Sequence, residues 1–233
     1  MTDAEFDAFA TSYDEDLARG LSLTGEGKLY YARRRLAWLH RCLARLGAAP
    51  RRVLDFGCGT GTSIPLLREI LGAESVLGVD PSPASLDAAR VAFAAPGVEL
   101  ARPEDRPPDG SFDLVFANGV LHHVPPADRP AVLAYVAGSL RPGGFFACWE
   151  NNPYNPGTRW IMSRVAFDRD AIMLSPGELA RRMRETGLEV VSTHFLFLFP
   201  RTLRFLRPLE PGLARLPLGG QYQVLARKPG PAG

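Results

Sequence analysis

From Arg52 onward the chain alternates short apolar runs with longer amphipathic runs. The apolar runs predict strands at 52–56, 76–80, 98–101, 112–117 and 144–150, and the runs between them predict helices at 62–71, 83–94 and 127–140. Alternation of this kind specifies parallel strands joined by crossover helices on both faces of one sheet. We therefore expect an α/β, doubly wound sheet over this part of the chain.

The flanking regions follow a different pattern. Helical periodicity marks residues 3–19 and 28–47 ahead of the sheet, and glycines separate the two segments. After Glu150 an Asn- and Pro-rich loop precedes a predicted helix at 176–186 and predicted strands at 188–198 and 221–228. The first of these two predicted strands overlaps the continuous apolar run at 195–199, which is typical of a buried strand.

The first predicted strand runs directly into a glycine-rich segment. Residues 53–61 read Val-Leu-Asp-Phe-Gly-Cys-Gly-Thr-Gly, and the next apolar run ends at Asp80. Glycine lets a backbone turn tightly and come close to a ligand, because it has no Cβ and tolerates positive φ. An acidic residue at the tip of the adjacent parallel strand can accept hydrogen bonds from two ribose hydroxyls. The glycine-rich segment and Asp80 together predict a nucleoside-binding site.

The glycine spacing narrows the kind of nucleoside. Gly57 and Gly59 fit the dinucleotide fingerprint G-x-G-x-x-G, but its third glycine would fall at Thr62, and the chain has Gly61 instead. This departure disfavours a nicotinamide reductase. The block and its downstream Asp80 resemble motif I of the class I S-adenosylmethionine-dependent methyltransferases, so the resemblance implies S-adenosylmethionine as the cofactor.

The same resemblance implies an architecture. It predicts a Rossmann-like seven-stranded sheet, mostly parallel with a C-terminal antiparallel hairpin, and N-terminal cap helices. The 233 residues are long enough for one such domain. We expect cap helices in 1–48, the cofactor-binding core in 50–150, and a substrate loop, hairpin and lid segment in 151–233.

The resemblance also assigns cofactor contacts. Gly57, Cys58 and Gly59 would pack against the methionine part, Asp55 would hold the loop or the ammonium group through water, and Asp80 would bind the ribose. Asn118 would contact the amino group through its carbonyl, and Tyr13, in an N-terminal F-D-x-x-A-x-x-Y-D helix, would touch the carboxylate or simply pack. The full set of cofactor candidates is Tyr13, Asp55, Gly57, Cys58, Gly59, Gly61, Asp80, Pro81, Glu104, Asp105 and Asn118.

The adenine end departs from the family pattern. Where related enzymes commonly read G-D-A-E-D-L-P, this chain has Arg102 in place of the carboxylate and Pro103, which has no N–H to donate. Two interpretations remain. Either the register slips so that Glu104 and Asp105 take over, which we favour, or adenine is held mainly by packing.

Three residues are candidates for catalysis. Val120 to Val124 resemble the L-H-H-V segment of small-molecule methyltransferases, and histidine titrates near neutrality, so His122 or His123 could act as a base. One of two adjacent histidines commonly faces the core instead. Glu150 ends a strand at the same edge of the sheet.

The acceptor site is less clear from the sequence. Candidate substrate residues are Tyr30, Tyr31, Asn151, Asn152 and Tyr154. The amides suit a hydroxyl-rich acceptor, although Asn also forms turns without any ligand. We expect O-methylation of a sugar, lipid or secondary-metabolite hydroxyl. The alternatives are N- or C-methylation, including protein or nucleic-acid acceptors, and a non-catalytic nucleoside-binding scaffold.

Composition and charge limit the partners. The net charge is only +2, with no long basic run, so no nucleic-acid partner is expected. Three widely spaced cysteines argue against a disulfide framework and a zinc site, so no metal is expected. They suit a reducing cytoplasm, and neither a signal peptide nor an 18-residue apolar span is evident. The basic amphipathic segment at 201–216 could lie on a membrane, but such segments are more often lids, and two prolines interrupt it.

Overall fold

The computed structural model describes residues 25–164 and 171–230. The helix predicted at 3–19 and the candidate Tyr13 lie outside the described residues. The fold is built on a seven-stranded sheet in the order β3-β2-β1-β4-β5-β7-β6. Strands β1 to β5 are parallel, and β7 runs antiparallel to both β5 and β6. The predicted mostly parallel sheet with a C-terminal antiparallel hairpin is confirmed.

Most strands and helices begin and end within two residues of their predicted positions, but β5 begins at Leu140 instead of 144, and the helices at Pro156–Met162 and Glu210–Leu213 were not predicted. The strands are β1 (Arg52–Phe56), β2 (Ser75–Val79), β3 (Val98–Ala101), β4 (Phe112–Asn118), β5 (Leu140–Asn151), β6 (Glu189–Leu196) and β7 (Gln221–Arg227). The α-helices are α1 (Lys28–Arg45), α2 (Ile64–Leu71), α3 (Pro83–Phe93), α4 (Arg129–Ser139), α5 (Pro156–Met162), α6 (Pro176–Glu185) and α7 (Glu210–Leu213). Short 3₁₀ helices cover Pro103–Asp105 and Arg201–Leu209.

Apolar side chains fill both faces of the sheet. One core contains Phe116 and Trp149 and includes residues of α1 and α2. The other contains Phe146 and Tyr222 and includes residues of α4 and α6. Because the central strands are covered on both faces, their sequences read as continuous apolar runs. This two-sided core fixes the strand ends that carry the site.

The region after β6 differs from the sequence prediction. The apolar run at 195–199 does not continue as a strand, because β6 ends at Leu196 and Phe197 adopts a positive φ of 66°. The amphipathic segment at 201–216 is interrupted, as its two prolines predict, and consists of a kinked 3₁₀ helix followed by the four-residue α7. Pro208 lies inside the 3₁₀ helix and Pro211 is the second residue of α7, and each ring removes a backbone donor.

One buried carboxylate holds this irregular segment. The Glu210 side chain accepts hydrogen bonds from the backbone N–H groups of Leu198 (3.0 Å) and Phe199 (3.2 Å). It also pairs with Arg34 of α1 at 2.7 Å. The segment after β6 is therefore fastened to the cap helix by long-range polar contacts, which local periodicity does not encode.

Candidate active site

The glycine loop between β1 and α2 is shaped by its glycines. The N–H groups of Gly57 and Cys58 both donate to the carbonyl of Val79, at 2.8 and 3.1 Å. Gly57 and Gly59 have φ values of 70° and 53°, which disfavour a side chain. A Cβ added at Gly57 would lie 2.4 Å from a methyl of Val120. Glycine at position 57 thus permits both the turn and the close approach of the loop after β4.

Asp80 lies at the tip of β2 and is tied to this loop. One carboxylate oxygen accepts from the N–H of Gly59 at 2.8 Å, and the other accepts from the N–H of Ser82 at 3.0 Å. The carboxylate is buried but lies on the wall of a cavity. An acidic group held in this way is already oriented toward a ligand in the loop.

The cavity above the glycine loop has a volume of about 520 Å³. This size is within the range of small-molecule and cofactor sites. Most of the predicted cofactor residues line it, and His123 lines it as well. The predicted residues on its wall are Asp55, Gly57, Cys58, Gly59, Asp80, Pro81 and Asn118.

Gly61, Glu104 and Asp105, although predicted to contact the cofactor, are not on the cavity wall. Gly61 has a φ of 82°, and a Cβ there would lie 2.9 Å from the Phe93 ring, so the glycine allows the loop to pack on α3. Glu104 is exposed and pairs with Arg102 at 2.7 Å. From the 3₁₀ turn only Pro103 reaches the cavity. This arrangement favours packing over the register slip at the adenine end.

Two buried acceptor atoms lie beside the glycine loop. Burial, with a smaller contribution from nearby Asp80, raises the pKa of Asp55 to about 7. Asp55 Oδ2 and Asn118 Oδ1 have no hydrogen-bond partner among the described residues. Buried acceptors without partners are costly, and a bound cationic group would satisfy them. The ammonium group of an amino-acid ligand has the required charge.

Two cations of helix α1 also line the cavity, although the sequence analysis did not select them. Lys28 Nζ is 3.4 Å from the Thr60 hydroxyl of the glycine loop. Arg35 is buried and donates to Gln221 Oε1 at 3.0 Å. Both line the first cavity and the second cavity described below. Their spacing of seven residues places them on one face of a helix, a signal that was present in the sequence.

A second cavity of about 300 Å³ adjoins the first. Both cavities are lined by Lys28, Arg35, Asn118, Gly119 and His123. The predicted catalytic and substrate residues on the wall of the second cavity are Tyr30, Tyr31, His122, His123 and Asn151. A ligand in the first cavity and an acceptor in the second would therefore meet beside the loop after β4.

The two histidines have different environments. His122 Nδ1 lies 2.5 Å from Glu150 Oε2, and the N–H of Leu121 donates to Glu150 Oε1 at 2.8 Å. Burial and the neighbouring His122 lower the pKa of His123 to about 2. Glu150 is buried behind His122 and lines neither cavity, so it can act on an acceptor only through His122.

Two predicted substrate residues lie away from the cavities. Asn152 is fully buried and donates to the carbonyls of Pro217 (3.1 Å) and Gly219 (2.7 Å). Tyr154 is 60% exposed and lines neither cavity. Asn152 instead stabilises a turn, because its side-chain oxygen accepts a hydrogen bond from the N–H of Tyr154 at 3.0 Å.

The sheet order and the acidic strand tip define a Rossmann-like nucleoside-binding methyltransferase fold. A family model described as "Methyltransferase domain" matches residues 28–193. The chain belongs to this family, within the class I S-adenosylmethionine-dependent methyltransferases, and S-adenosylmethionine is its cofactor. The residues of the first cavity fit that cofactor, since Asp80 would accept from the ribose, Asp55 Oδ2 and Asn118 Oδ1 would accept from the ammonium group, and Lys28 would pair with the carboxylate.

Curated relatives are similar over parts of the chain. A trans-aconitate 2-methyltransferase of Methylobacterium nodulans is 39% identical over 51% of this chain and 45% of its own length, so the match spans about half of either protein. A ubiquinone biosynthesis O-methyltransferase of Thiobacillus denitrificans is 34% identical over 66% of this chain and 70% of its own length.

A solved structure extends the similarity of the fold. A SAM-dependent methyltransferase from Archaeoglobus fulgidus superposes with a TM-score of 0.65 at 19% identity, over 87% of this chain and 95% of its own. At this identity the comparison shows the fold alone.

Proposed function

We propose that the protein transfers a methyl group from S-adenosylmethionine to a hydroxyl oxygen of a small molecule held in the second cavity. The observation that carries this proposal is that His122, on the wall of that cavity, pairs with the buried Glu150 behind it. The name of the Thiobacillus denitrificans relative, an O-methyltransferase, supports transfer to oxygen. When bound, the cofactor supplies a methyl group activated by its sulfonium.

Hydrogen bonding determines how His122 would work. An ionised carboxylate only accepts hydrogen bonds, so the short contact to Glu150 places the ring proton on Nδ1. Nε2 is then the unprotonated ring nitrogen, and it would take the proton of the acceptor hydroxyl. Glu150 is a positioning residue in this scheme, since it touches the histidine and not the acceptor.

Positioning would contribute more than the base. Orientation of two reactants can supply about 7–11 kcal/mol, whereas a positioned base contributes about 10²–10⁴-fold, or about 3–5 kcal/mol. The second cavity offers polar contacts from Tyr30, Asn151 and Gln221 and apolar contacts from Phe197 and Met162. This mixed lining suits the hydroxyl of a sugar, lipid or secondary metabolite.

The base is tested by replacing His122 with asparagine. His122→Asn keeps an amide N–H able to bond Glu150 but removes Nε2. With an acceptor first found in a panel of phenols, sugars, hydroxylated lipids and trans-aconitate, we expect kcat to fall by about 100-fold or more. The affinity for S-adenosylhomocysteine, measured by titration calorimetry, should stay within about twofold.

The matched control is His40→Asn, at an exposed position on the distant part of α1, which should leave kcat unchanged. A loss of less than tenfold in His122→Asn would exclude the base. Binding of S-adenosylhomocysteine without turnover on any acceptor of the panel would favour a non-catalytic scaffold.

A carboxylate acceptor is the second candidate. Lys28 and Arg35 both line the second cavity, and its described lining residues include no Asp or Glu. The Methylobacterium nodulans relative is named a trans-aconitate methyltransferase. An ionised carboxylate has no proton to lose, so His122→Asn should then have little effect on kcat. Arg35→Gln should raise the KM of such an acceptor by about tenfold or more, because a charge-assisted hydrogen bond is lost.

A further inference from the structure

Two chain segments border the outer end of the second cavity and form one surface. This cavity rim comprises residues 153–164 and 200–218. Asn155 Nδ2 donates to the carbonyl of Leu218 at 2.7 Å, and the Thr158 hydroxyl donates to the carbonyl of Gly220 at 2.9 Å. Thr158 and Pro200 also line the cavity itself. The two segments are therefore held together beside the acceptor site.

Exposed apolar side chains are concentrated on the cavity rim. Seven of the twelve large apolar side chains that are exposed in the described part of the chain lie there: Tyr154, Trp160, Leu203, Phe205, Leu209, Leu216 and Leu218. Phe205 is 71% exposed and Trp160 is 45% exposed. Scattered exposed apolar residues are normal, but a concentration of them marks an interaction surface.

The cavity rim is also strongly basic. Its charged residues are six arginines and one acid: Arg159, Arg164, Arg201, Arg204, Arg207, Arg215 and Glu210. Glu210 is buried and paired with Arg34, so it adds no negative charge to the outer surface. Arg207 is only 14% exposed and pairs with Glu26 at 2.8 Å, so the other five arginines, which are exposed, carry the basic charge of the rim. The whole chain has a net charge of only +2, so the basic charge is local to this surface.

We propose that the cavity rim docks on the surface of an anionic phospholipid bilayer. Arginine side chains would contact the lipid phosphates, while Trp160 and Phe205 would enter the boundary between headgroups and acyl chains. The Arg164 guanidinium lies 4.1 Å from the centre of the Trp160 ring, so the basic and aromatic groups already form one unit. The exposed leucines distinguish this surface from a nucleic-acid site, where bases stack on aromatic rings.

The docking is peripheral. No helix in the described ranges 25–164 and 171–230 is long and apolar enough to cross a bilayer. Phe197 to Pro200 line the second cavity immediately before the 3₁₀ part of the rim. A docked rim would therefore place the second cavity next to the lipid surface, where an apolar acceptor could reach it.

The experiment is cosedimentation of the full chain with lipid vesicles. Vesicles of phosphatidylcholine with about 40% phosphatidylglycerol have a strongly anionic surface. They are compared with vesicles of pure phosphatidylcholine at low salt. We expect retention on the anionic vesicles and its loss in high salt, because exposed charges are screened. No acceptor or turnover is needed, so the result is independent of the proposed methyl transfer.

Variants locate the binding surface. Arg159→Ser with Arg204→Ser should lower partitioning onto anionic vesicles by about 25-fold, since each surface arginine contributes about fivefold. Trp160→Ser with Phe205→Ser should lower it by about tenfold or more. Val91→Ser is the matched apolar control, because Val91 is 91% exposed outside the rim, and Arg181→Ser is the matched basic control. Both controls should bind as the unmodified chain does.

Three results would overturn the proposal. The first is no retention on anionic vesicles at low salt, and the second is equal retention of the rim variants and the controls. The third is a stable dimer in analytical ultracentrifugation that Phe205→Ser dissociates, which would make the rim an interface between two copies. If the chain instead bound a single-stranded RNA oligonucleotide, and this binding needed Arg204 but not Phe205, the rim would be a nucleic-acid site and the proposal would also fail.

Discussion

The cofactor end and the acceptor end of the site are built in different ways. At the cofactor end, Gly57, Gly59 and Asp80 follow the tips of the adjacent strands β1 and β2, and their backbone conformations and hydrogen bonds shape the cavity. At the acceptor end, cap helix α1, the loop after β5 and the irregular segment after β6 contribute side chains. The first cavity is thus specified by local sequence, and the second by contacts between distant segments.

From this difference we expect the cofactor end to be similar across the family and the acceptor end to vary. The turn at Gly57 requires positive φ and no Cβ, so few sequences satisfy it. The lining of the second cavity tolerates other side chains, because loops on the surface accept substitutions. One fold can therefore keep its cofactor and change its acceptor.

The largest expected effect falls on the cofactor end. Asp80→Ala removes both the predicted ribose acceptor and the hydrogen bond from Gly59. We expect the affinity for S-adenosylhomocysteine, measured by titration calorimetry, to fall by about 100-fold or more, because hydrogen bonds to a charged group contribute about 1.5–3 kcal/mol each.

The matched control is Asp87→Asn on the exposed side of α3, which should leave the affinity unchanged. If the affinity of Asp80→Ala for S-adenosylhomocysteine were within fivefold of that of the unmodified chain, the cofactor end would not be organised around the tip of β2.

A smaller effect, on thermal stability, is expected from replacing Asp55, the buried carboxyl beside the glycine loop. The folded-state pKa of Asp55 is raised from its ordinary 3.8 to about 7. Between these values the folded chain retains a proton that the unfolded chain releases, so this group lowers stability as pH rises from about 4 to 7. Asp55→Asn should therefore raise the Tm of the ligand-free protein by a few degrees at pH 8, and by less at pH 5.

Thermal unfolding of both proteins between pH 5 and pH 8 measures this difference. A Tm gap that stays constant across that range would show that Asp55 is ionised throughout.

The smallest effect is expected at a predicted substrate residue. Tyr154 is exposed and outside both cavities, so Tyr154→Ala should change kcat/KM by less than about twofold. Tyr31→Ala should change it by about tenfold, because Tyr31 lines the second cavity and packs on Phe197 with ring centroids 4.9 Å apart. A larger loss for Tyr154→Ala than for Tyr31→Ala would contradict this assignment of the acceptor end.

Sequence patterns predicted the sheet well because each strand is a buried apolar run followed by clear turn signals. They also predicted which glycine loop and which acidic tip would meet, since both depend on neighbouring parallel strands. They did not predict that β6 would end at Leu196, because this depends on the positive φ of Phe197 and on the distant Arg34–Glu210 pair. For Asn152 the turn-forming alternative fits the structure, and the sequence could not decide it because the amide donates to carbonyls 65 and 67 residues away.

The central claim is that the first cavity holds the cofactor and the second holds the acceptor, with the loop after β4 between them. A crystal structure with S-adenosylhomocysteine tests it most directly. We predict that both ribose hydroxyls lie within hydrogen-bonding distance of Asp80 and that the sulfur faces the shared wall near Asn118 and His123. A ligand lying in the second cavity, or a sulfur directed away from that wall, would contradict the account.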